Sequence, residues 1–153
     1  MKSIEENLAA LELQLPAAPG AGGNYVPFKI IEKTLILSGV ISVSNGRILT
    51  GQVGQSCEIE EAREAAKACA LNALAVIKEA LGGSFDRLDS IHSMSGYVNG
   101  ISDFPDAPLV INGASDLFIA LMGDSGRHTR TAVTVAGLPK GAMVEIQVTA
   151  GLK

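Results

Sequence analysis

The chain has 153 residues and a formal net charge of −4; 47% of its residues are apolar, 4% are aromatic, and there is no tryptophan. This length fits one domain, and the composition predicts a core of small aliphatic side chains. The acidic charge argues against a nucleic-acid partner, which would require a basic surface. An acidic N-terminus and the lack of a bilayer-length apolar run lead us to expect a cytoplasmic protein without a membrane partner.

We predict that residues 1–23 form a short helix and a connector, and that residues 24–153 form a single domain. Ser3 and Glu6 have the spacing of a capping box. A stripe at helical spacing follows, up to Pro16: Ile4, Leu8, Leu11 and Leu15. The Pro/Gly-rich stretch 16–23 precedes a strand rather than a helix, which argues against a dinucleotide-binding loop.

Two strands are predicted next, over 25–32 and 34–43, followed by a turn at Asn45-Gly46. Ser56 is the predicted N-cap of a long helix with an acidic first turn that ends at Gly82-Gly83. Cys69 lies on the apolar stripe of this helix, where we expect a buried, unreactive thiol. Its spacing from Cys57 is typical of neither a metal site nor a redox pair.

The second half of the chain predicts three more strands and one more helix. A strand over 88–98 is followed by a loop over 103–108 and by a helix that starts between Pro108 and Asn112 and stops before Gly123. Two strands, 131–136 and 143–149, then follow, joined by a turn that contains glycines and a proline.

The order of these elements, β-β-α-β-α-β-β after a short helix, predicts an α+β fold with two helices on one face of a mixed sheet. The opposite face of the sheet has no third layer, and we expect it to carry Val, Ile and Leu side chains. An uncovered apolar face of this kind predicts an oligomer.

Two charged residues stand out in the last strands: Arg130 at the start of the first, and Glu145 between Val144 and Ile146. A charge in a half-buried strand is costly unless it is paired or faces a cavity. Glu145 could also lie on a wet sheet face, because a shift of one residue exchanges the two faces. The two histidines, His92 and His128, are interpreted as structural, and no metal-ligand cluster is recognised.

The last strands also carry a longer pattern, R-x-x-V-x-V-x-x-L-P-x-x-x-x-V-E-I-x-x-x-A, from Arg130 to Ala150. This pattern resembles the C-terminal signature of the Rid family of reactive intermediate deaminases, also called the YjgF family. The resemblance extends over residues 24–150. It implies a chorismate-mutase-like subunit, a homotrimer with ligand sites in the clefts between subunits, and no cofactor.

The resemblance also implies roles for individual residues. Arg130 would bind a substrate carboxylate through a bidentate fork, and Glu145 would orient the water that attacks an imine carbon. Further substrate contacts would come from Tyr25, Ser38, Gly39 and Asn112. The longer N-terminus and Ala132, which replaces a frequent cysteine, resemble a longer branch of the family.

The function implied is hydrolysis of enamines or imines similar to 2-aminoacrylate, giving 2-keto acids and ammonia. One alternative is a non-catalytic sensor or carrier of small carboxylates, which would use the same arginine. Endoribonuclease activity, as in a translation inhibitor, is a weaker alternative, because the acidic chain offers only Arg127, His128 and Arg130 as an anion-binding cluster.

Overall fold

A computed structural model describes residues 2–153 and shows three α-helices around a mixed sheet. The helices are α1 (Ile4–Ala10), α2 (Ile59–Ala80) and α3 (Ala107–Met122). The strands are β1 (Phe28–Ile31), β2 (Thr34–Leu37), β3 (Val40–Ile41), β4 (Val43–Ser44), β5 (Arg47–Ile48), β6 (Leu88–Asn99), β7 (Thr129–Val135) and β8 (Val144–Leu152). Short 3₁₀ turns occupy Gly123–Gly126 and Pro139–Gly141.

The main sheet has the strand order β1-β2-β8-β6-β7, with β3 also paired to β8. All its pairs are antiparallel except β6 with β7, which are parallel because α3 connects them. The predicted turn at Asn45-Gly46 joins β4 to β5, and both residues have the positive φ angles, 51° and 75°, that such tight hairpins require. The predicted α+β fold is confirmed.

Helices α2 and α3 pack on one face of this sheet. In β8 the alternate residues Val144, Ile146, Val148 and Ala150 are buried towards the helices. The alanine-rich α2 and the glycine in α3 let the two helices approach closely, since a Cβ atom at Gly113 would collide with the backbone carbonyl of Arg63. Within residues 2–153, no helix combines the length and apolarity that a membrane span requires.

The two C-terminal strands are connected by the predicted turn, but they do not pair with each other. Strand β6 lies between them, parallel to β7 and antiparallel to β8. The sequence could not show this, because the apolar alternation of a strand identifies the strand but not its neighbour.

The predicted first helix is too long. It ends at Ala10 because Glu12 adopts a left-handed conformation with φ 56°. The N–H of Glu12 bonds to the carbonyl of Ala9 and the N–H of Leu13 to that of Leu8, which is a Schellman termination. The capping box of Ser3 and Glu6 is confirmed.

Three other predicted boundaries are wrong. The first strand begins at Phe28, so Tyr25 precedes it. The predicted strand over 34–43 breaks at Ser38-Gly39, where the side chain of Gln147 donates to the carbonyl of Leu37. Ser56 does not cap α2: its hydroxyl accepts from the N–H of Gln52, and Glu58 is the N-cap.

The second face of the sheet is uncovered, as predicted, but it is less apolar than predicted. The alternation that buries one face places the following side chains on the other: Lys29, Ile31, Thr34, Ile36, Ile41, Ser93, Ser95, Tyr97, Thr129, Thr131, Val133, Val135, Glu145, Gln147 and Thr149. No leucine is among them. This face is therefore a mixed surface that carries hydroxyl, amide and carboxyl groups.

The close approach of the helices predicts the effect of Gly113→Ala. Alanine favours a helix by about 1 kcal/mol over glycine, but forcing a methyl group against backbone costs about 1–3 kcal/mol or more. We therefore expect a net loss in the free energy of unfolding, measured by urea titration. Gly137→Ala is the control, because no atom lies within 4 Å of its Cβ position. Equal stability of both variants would contradict the proposed contact.

Candidate functional site

The structure places the six predicted site residues in two separate groups. Arg130 and Asn112 lie together where β7 meets α3. Tyr25, Ser38, Gly39 and Glu145 line one cavity beside β2, β3 and β8, away from β7. These groups are called the arginine cluster and the glutamate cavity below.

In the arginine cluster, α3 holds the guanidinium group of Arg130. Nη1 donates to Oδ1 of Asn112 at 2.8 Å and to Oγ of Ser115 at 3.2 Å, and Nη2 donates to the carbonyl of Pro108 at 3.3 Å. Asn112 and Ser115 are three residues apart and so lie on the same side of the helix. Asn112 therefore holds Arg130 through its Oδ1, while its amide nitrogen makes no hydrogen bond within residues 2–153.

Arg130 keeps donors for a ligand. A guanidinium group has five N–H donors, and the three bonds to α3 leave the Nε–H and one hydrogen of Nη2. Nε and Nη2 form one edge of the group, which is the edge that a carboxylate binds in a bidentate fork. Arg130 is exposed, and no carboxylate pairs with it within residues 2–153.

Ser115 and His128 complete this cluster. Sequence reasoning missed Ser115, and it considered His128 only as a structural residue or as part of an anion-binding cluster for RNA. Ser115 is buried, and its Oγ lies 3.0 Å from Nε2 of His128. Nδ1 of His128 lies 2.7 Å from the carbonyl oxygen of Gly126. The helical spacing from Asn112 to Ser115 and the strand spacing from His128 to Arg130 were the available signals.

The glutamate cavity has a volume of about 470 Å³ and is bounded by the N-terminal connector, the break between β2 and β3, and the turn before β8. Lys140 and Asn72 also line it, and the sequence did not indicate either of them. Glu145 is half-buried, and its carboxylate makes no hydrogen bond or ion pair in the part of the chain that the structure describes. Its carboxylate is free for a ligand or for a neighbouring molecule.

The backbone is shaped around this carboxylate. A Cβ atom at Gly39 would lie 3.1 Å from Cδ of Glu145, so the glycine permits the close approach of the carboxyl group. Ser38 donates its hydroxyl hydrogen to the carbonyl of Val26 at 2.7 Å. Tyr25 is 51% exposed, and its hydroxyl accepts from the N–H of Gly22, which closes the connector on itself.

Burial raises the pKa of Glu145 above its ordinary value. A raised pKa suits a carboxyl group that takes up and returns a proton near neutral pH. Burial, and secondarily the nearby Glu145, raises the pKa of the Cys69 thiol well above its usual range, which makes this thiol a poor nucleophile. Among the described residues, no group of three or more His, Cys, Asp or Glu side chains is placed to hold a metal ion.

The sheet register separates the two clusters within one subunit. Arg130 is in register with Met94 of β6, whereas Glu145 is in register with Tyr97, three residues further along. Three residues and two strand spacings place the two Cα atoms roughly 14 Å apart. The odd offset also puts the two side chains on opposite faces of the sheet.

Comparison with known proteins gives the family. Residues 5–152 match the model of the YjgF/chorismate-mutase-like family, whose description gives endoribonuclease activity as provisional. This chain therefore belongs to the YjgF family, which confirms the resemblance to Rid proteins inferred from the C-terminal pattern.

Individual relatives agree in sequence and fold. Protein TCP17 of Trypanosoma cruzi is 39% identical over 145 residues, which cover 94% of this chain and 90% of TCP17. A crystal structure of an Agrobacterium tumefaciens protein is 39% identical, with a TM-score of 0.92 over 98% of this chain and 92% of that one. The structure of E. coli TdcF with bound serine is 26% identical, with a TM-score of 0.64 over 88% of this chain and 92% of TdcF.

The raised pKa of Glu145 predicts a pH-dependent effect of Glu145→Gln on stability. The folded chain binds this proton more tightly than the unfolded chain, so wild type loses stability as pH rises above about 4.3, the ordinary glutamate pKa. We expect E145Q to raise Tm at neutral pH by about 2–4 °C at most, since solvent still screens the group. The gain should vanish in acid.

Thermal unfolding at matched protein concentration, from neutral pH to about pH 4, measures this difference. Glu79→Gln, a change on the exposed side of α2, is the control and should have no effect. A lower Tm for E145Q at neutral pH would contradict the prediction. It would show that the carboxylate has a stabilising partner in the assembled protein.

Proposed function

We propose that this protein hydrolyses small enamines or imines that carry a carboxylate, such as 2-aminoacrylate, to 2-keto acids and ammonia. The observation that carries the proposal is the pair of unsatisfied charged groups. Arg130 has a free bidentate edge, and Glu145 is a half-buried carboxylate without a partner among residues 2–153. Arg130 would bind the substrate carboxylate, and Glu145 would accept a proton from the attacking water.

Arg130 would supply binding and orientation. A carboxylate on its free edge accepts two parallel charge-assisted hydrogen bonds, which fix both the position and the plane of a small ligand. Asn112, Ser115 and Pro108 hold the guanidinium before the ligand arrives, so less ordering is needed on binding. Lysine at this position would keep the charge and lose the fork.

Glu145 would supply proton transfer. An enamine first takes a proton from solvent on carbon and becomes the iminium. Glu145 then accepts a proton from water as the water oxygen bonds to the iminium carbon, giving a neutral carbinolamine. The same carboxyl returns that proton to nitrogen, and the hydroxyl proton leaves to solvent as the carbon–nitrogen bond breaks, so that one enamine and one water give one 2-keto acid and one ammonia. No redox step is involved.

The separation of the two clusters supports a site in which they act from different subunits. In 2-aminoacrylate the carboxylate carbon is bonded directly to the carbon that water attacks. The Cα atoms of Arg130 and Glu145 lie roughly 14 Å apart in one subunit, and the two side chains point to opposite faces of the sheet. So small a ligand cannot contact both side chains at once. We propose a homotrimer in which Arg130 of one subunit approaches the glutamate cavity of the next, in a heterologous contact that closes into a ring.

The exposed apolar residues support such a contact. Tyr25 and Val26 beside the cavity are 51% and 57% exposed, and Ile31 and Val133 on the uncovered face are 53% and 41% exposed. Residues of this kind on a mixed, uncovered sheet face are typical of a surface that a second subunit covers.

A non-catalytic carboxylate binder is the second candidate. The arginine cluster is complete within one subunit and needs no Glu145 to bind a carboxylate. The serine bound to E. coli TdcF is itself a small carboxylate. Binding of this kind without turnover would serve a sensor or a carrier.

Endoribonuclease activity has less support from the geometry. Arg127 pairs with Asp124 at 3.3 Å, and both ring nitrogens of His128 make internal hydrogen bonds. The predicted basic cluster therefore offers one free cation, Arg130, which is a poor match to a polyanion. RNA cleavage by highly purified protein that is abolished by Arg130→Lys would support this activity.

Two substitutions test the proposed reaction on imines generated in situ by an amino-acid dehydratase. Arg130→Lys should raise KM and weaken product binding by about 1–3 kcal/mol, the scale of a bond to a charged group. Glu145→Gln should lower kcat by one to a few orders of magnitude, about the range of general-base contributions, with little change in binding. Keto-acid release is measured in both cases.

Matched controls are Arg127→Lys and Glu79→Gln, which change exposed residues of the same types outside both clusters. Neither should alter turnover. If wild-type protein does not accelerate keto-acid release from the imines of several amino acids, the proposed enzymatic activity is refuted. Pyruvate binding that depends on Arg130 would then favour the carboxylate binder.

A further inference from the structure

The hydrogen-bond directions around His128 follow from its two ring contacts. The carbonyl of Gly126 only accepts, so Nδ1, at 2.7 Å from it, carries the hydrogen. In the neutral ring Nε2 is then an acceptor, and its partner at 3.0 Å, the hydroxyl of Ser115, must donate. An edge contact with the buried ring of Phe118, at 5.9 Å between centroids and 88°, fixes the plane of the imidazole.

The direction of the Ser115 hydroxyl determines what it offers to Arg130. With its hydrogen on His128, the oxygen presents lone pairs to the Nη1–H of Arg130, at 3.2 Å. The bonds therefore run in one direction, from Arg130 to Ser115 to His128 to Gly126. Ser115 is only 8% exposed, so water does not readily replace this arrangement.

We propose that Ser115 and His128 are positioning residues that hold the carboxylate-binding edge of Arg130 towards the ligand. The inference rests on the carboxylate site of the proposed function, but it does not depend on turnover. Neither residue touches the ligand. They act by occupying Nη1 from the protein side, so that the Nε and Nη2 edge points outward.

Two substitutions of the same histidine separate this role from simple packing. In glutamine the amide oxygen falls near the Nε2 position and can still accept from Ser115. In asparagine the amide falls near the Nδ1 position and can bond Gly126, but nothing accepts from Ser115. His128→Gln should therefore preserve the orientation of Arg130, whereas His128→Asn and Ser115→Ala should lose it.

The first measurement uses no ligand. Nitrogen NMR of His128 should show the Nδ1–H tautomer in wild type, and rotation of the Arg130 guanidinium about its Nε–Cζ bond should be slow. That rotation should become faster in H128N and S115A and stay slow in H128Q. Equal rotation rates in all four proteins, or an Nε2–H tautomer in wild type, would overturn the proposal.

The second measurement is calorimetric titration with pyruvate, with uncharged pyruvamide as the matched probe. We expect pyruvate to bind roughly three- to tenfold more weakly to H128N and S115A than to wild type and H128Q, about the effect of one hydrogen bond. Pyruvamide should show no such difference. If H128Q loses as much pyruvate affinity as H128N, the positioning role is overturned and His128 contributes only through packing.

The two measurements separate this inference from the proposed function. Slow rotation in wild type with no pyruvate binding would refute the carboxylate site while the arrangement of Arg130 stands. Wild-type pyruvate affinity and wild-type turnover in H128N and S115A would refute the positioning role while the reaction stands. Tm values of all variants, taken alongside, exclude unfolding as the cause of any loss.

Discussion

The position of β6 between β7 and β8 determines how this protein can act. Because β6 pairs in parallel with β7 and antiparallel with β8, the two charged residues of the C-terminal strands are placed by their registers with β6. The registers differ by an odd number of residues, so Arg130 points to the helices and Glu145 to the uncovered face. The proposed reaction therefore needs a site composed of two subunits.

Neither Arg130 nor Glu145 has a charged partner in the described chain, and the two side chains lie in different environments. Arg130 is exposed and held by neutral acceptors, which leaves its charge available. Glu145 is half-buried against Gly39, and its raised pKa records the energetic cost of that burial. Stability alone does not explain either arrangement, since pairing or replacing these groups would be more favourable. Unsatisfied groups of this kind are typical of sites where a ligand supplies the missing partner.

Periodicity in the sequence predicted the long helix, the central strand and the layer architecture, because an element that is buried on one face has apolar residues at the spacing of that face. The Schellman end of α1 was missed because it places Glu12, a residue type that rarely adopts positive φ, in the left-handed conformation. Periodicity could not predict strand order or the break at Ser38-Gly39, since both depend on contacts between distant residues. The same limit applies to the site. Arg130 and Glu145 could be identified by their chemistry in apolar strands, but Ser115 and His128 acquire their arrangement only when α3 packs on β7.

Mixed assembly of two impaired variants, assayed at substrate concentrations below the wild-type KM, tests the composite site most directly. Subunits with Arg130→Lys and subunits with Glu145→Gln are unfolded together, refolded and compared with each variant alone for keto-acid release. If each site takes Arg130 from one subunit and Glu145 from the next, random assembly of a cyclic trimer restores about one quarter of the wild-type sites. Activity no greater than the sum of the separate variants, in a mixture shown by mass spectrometry to contain mixed trimers, would contradict the account.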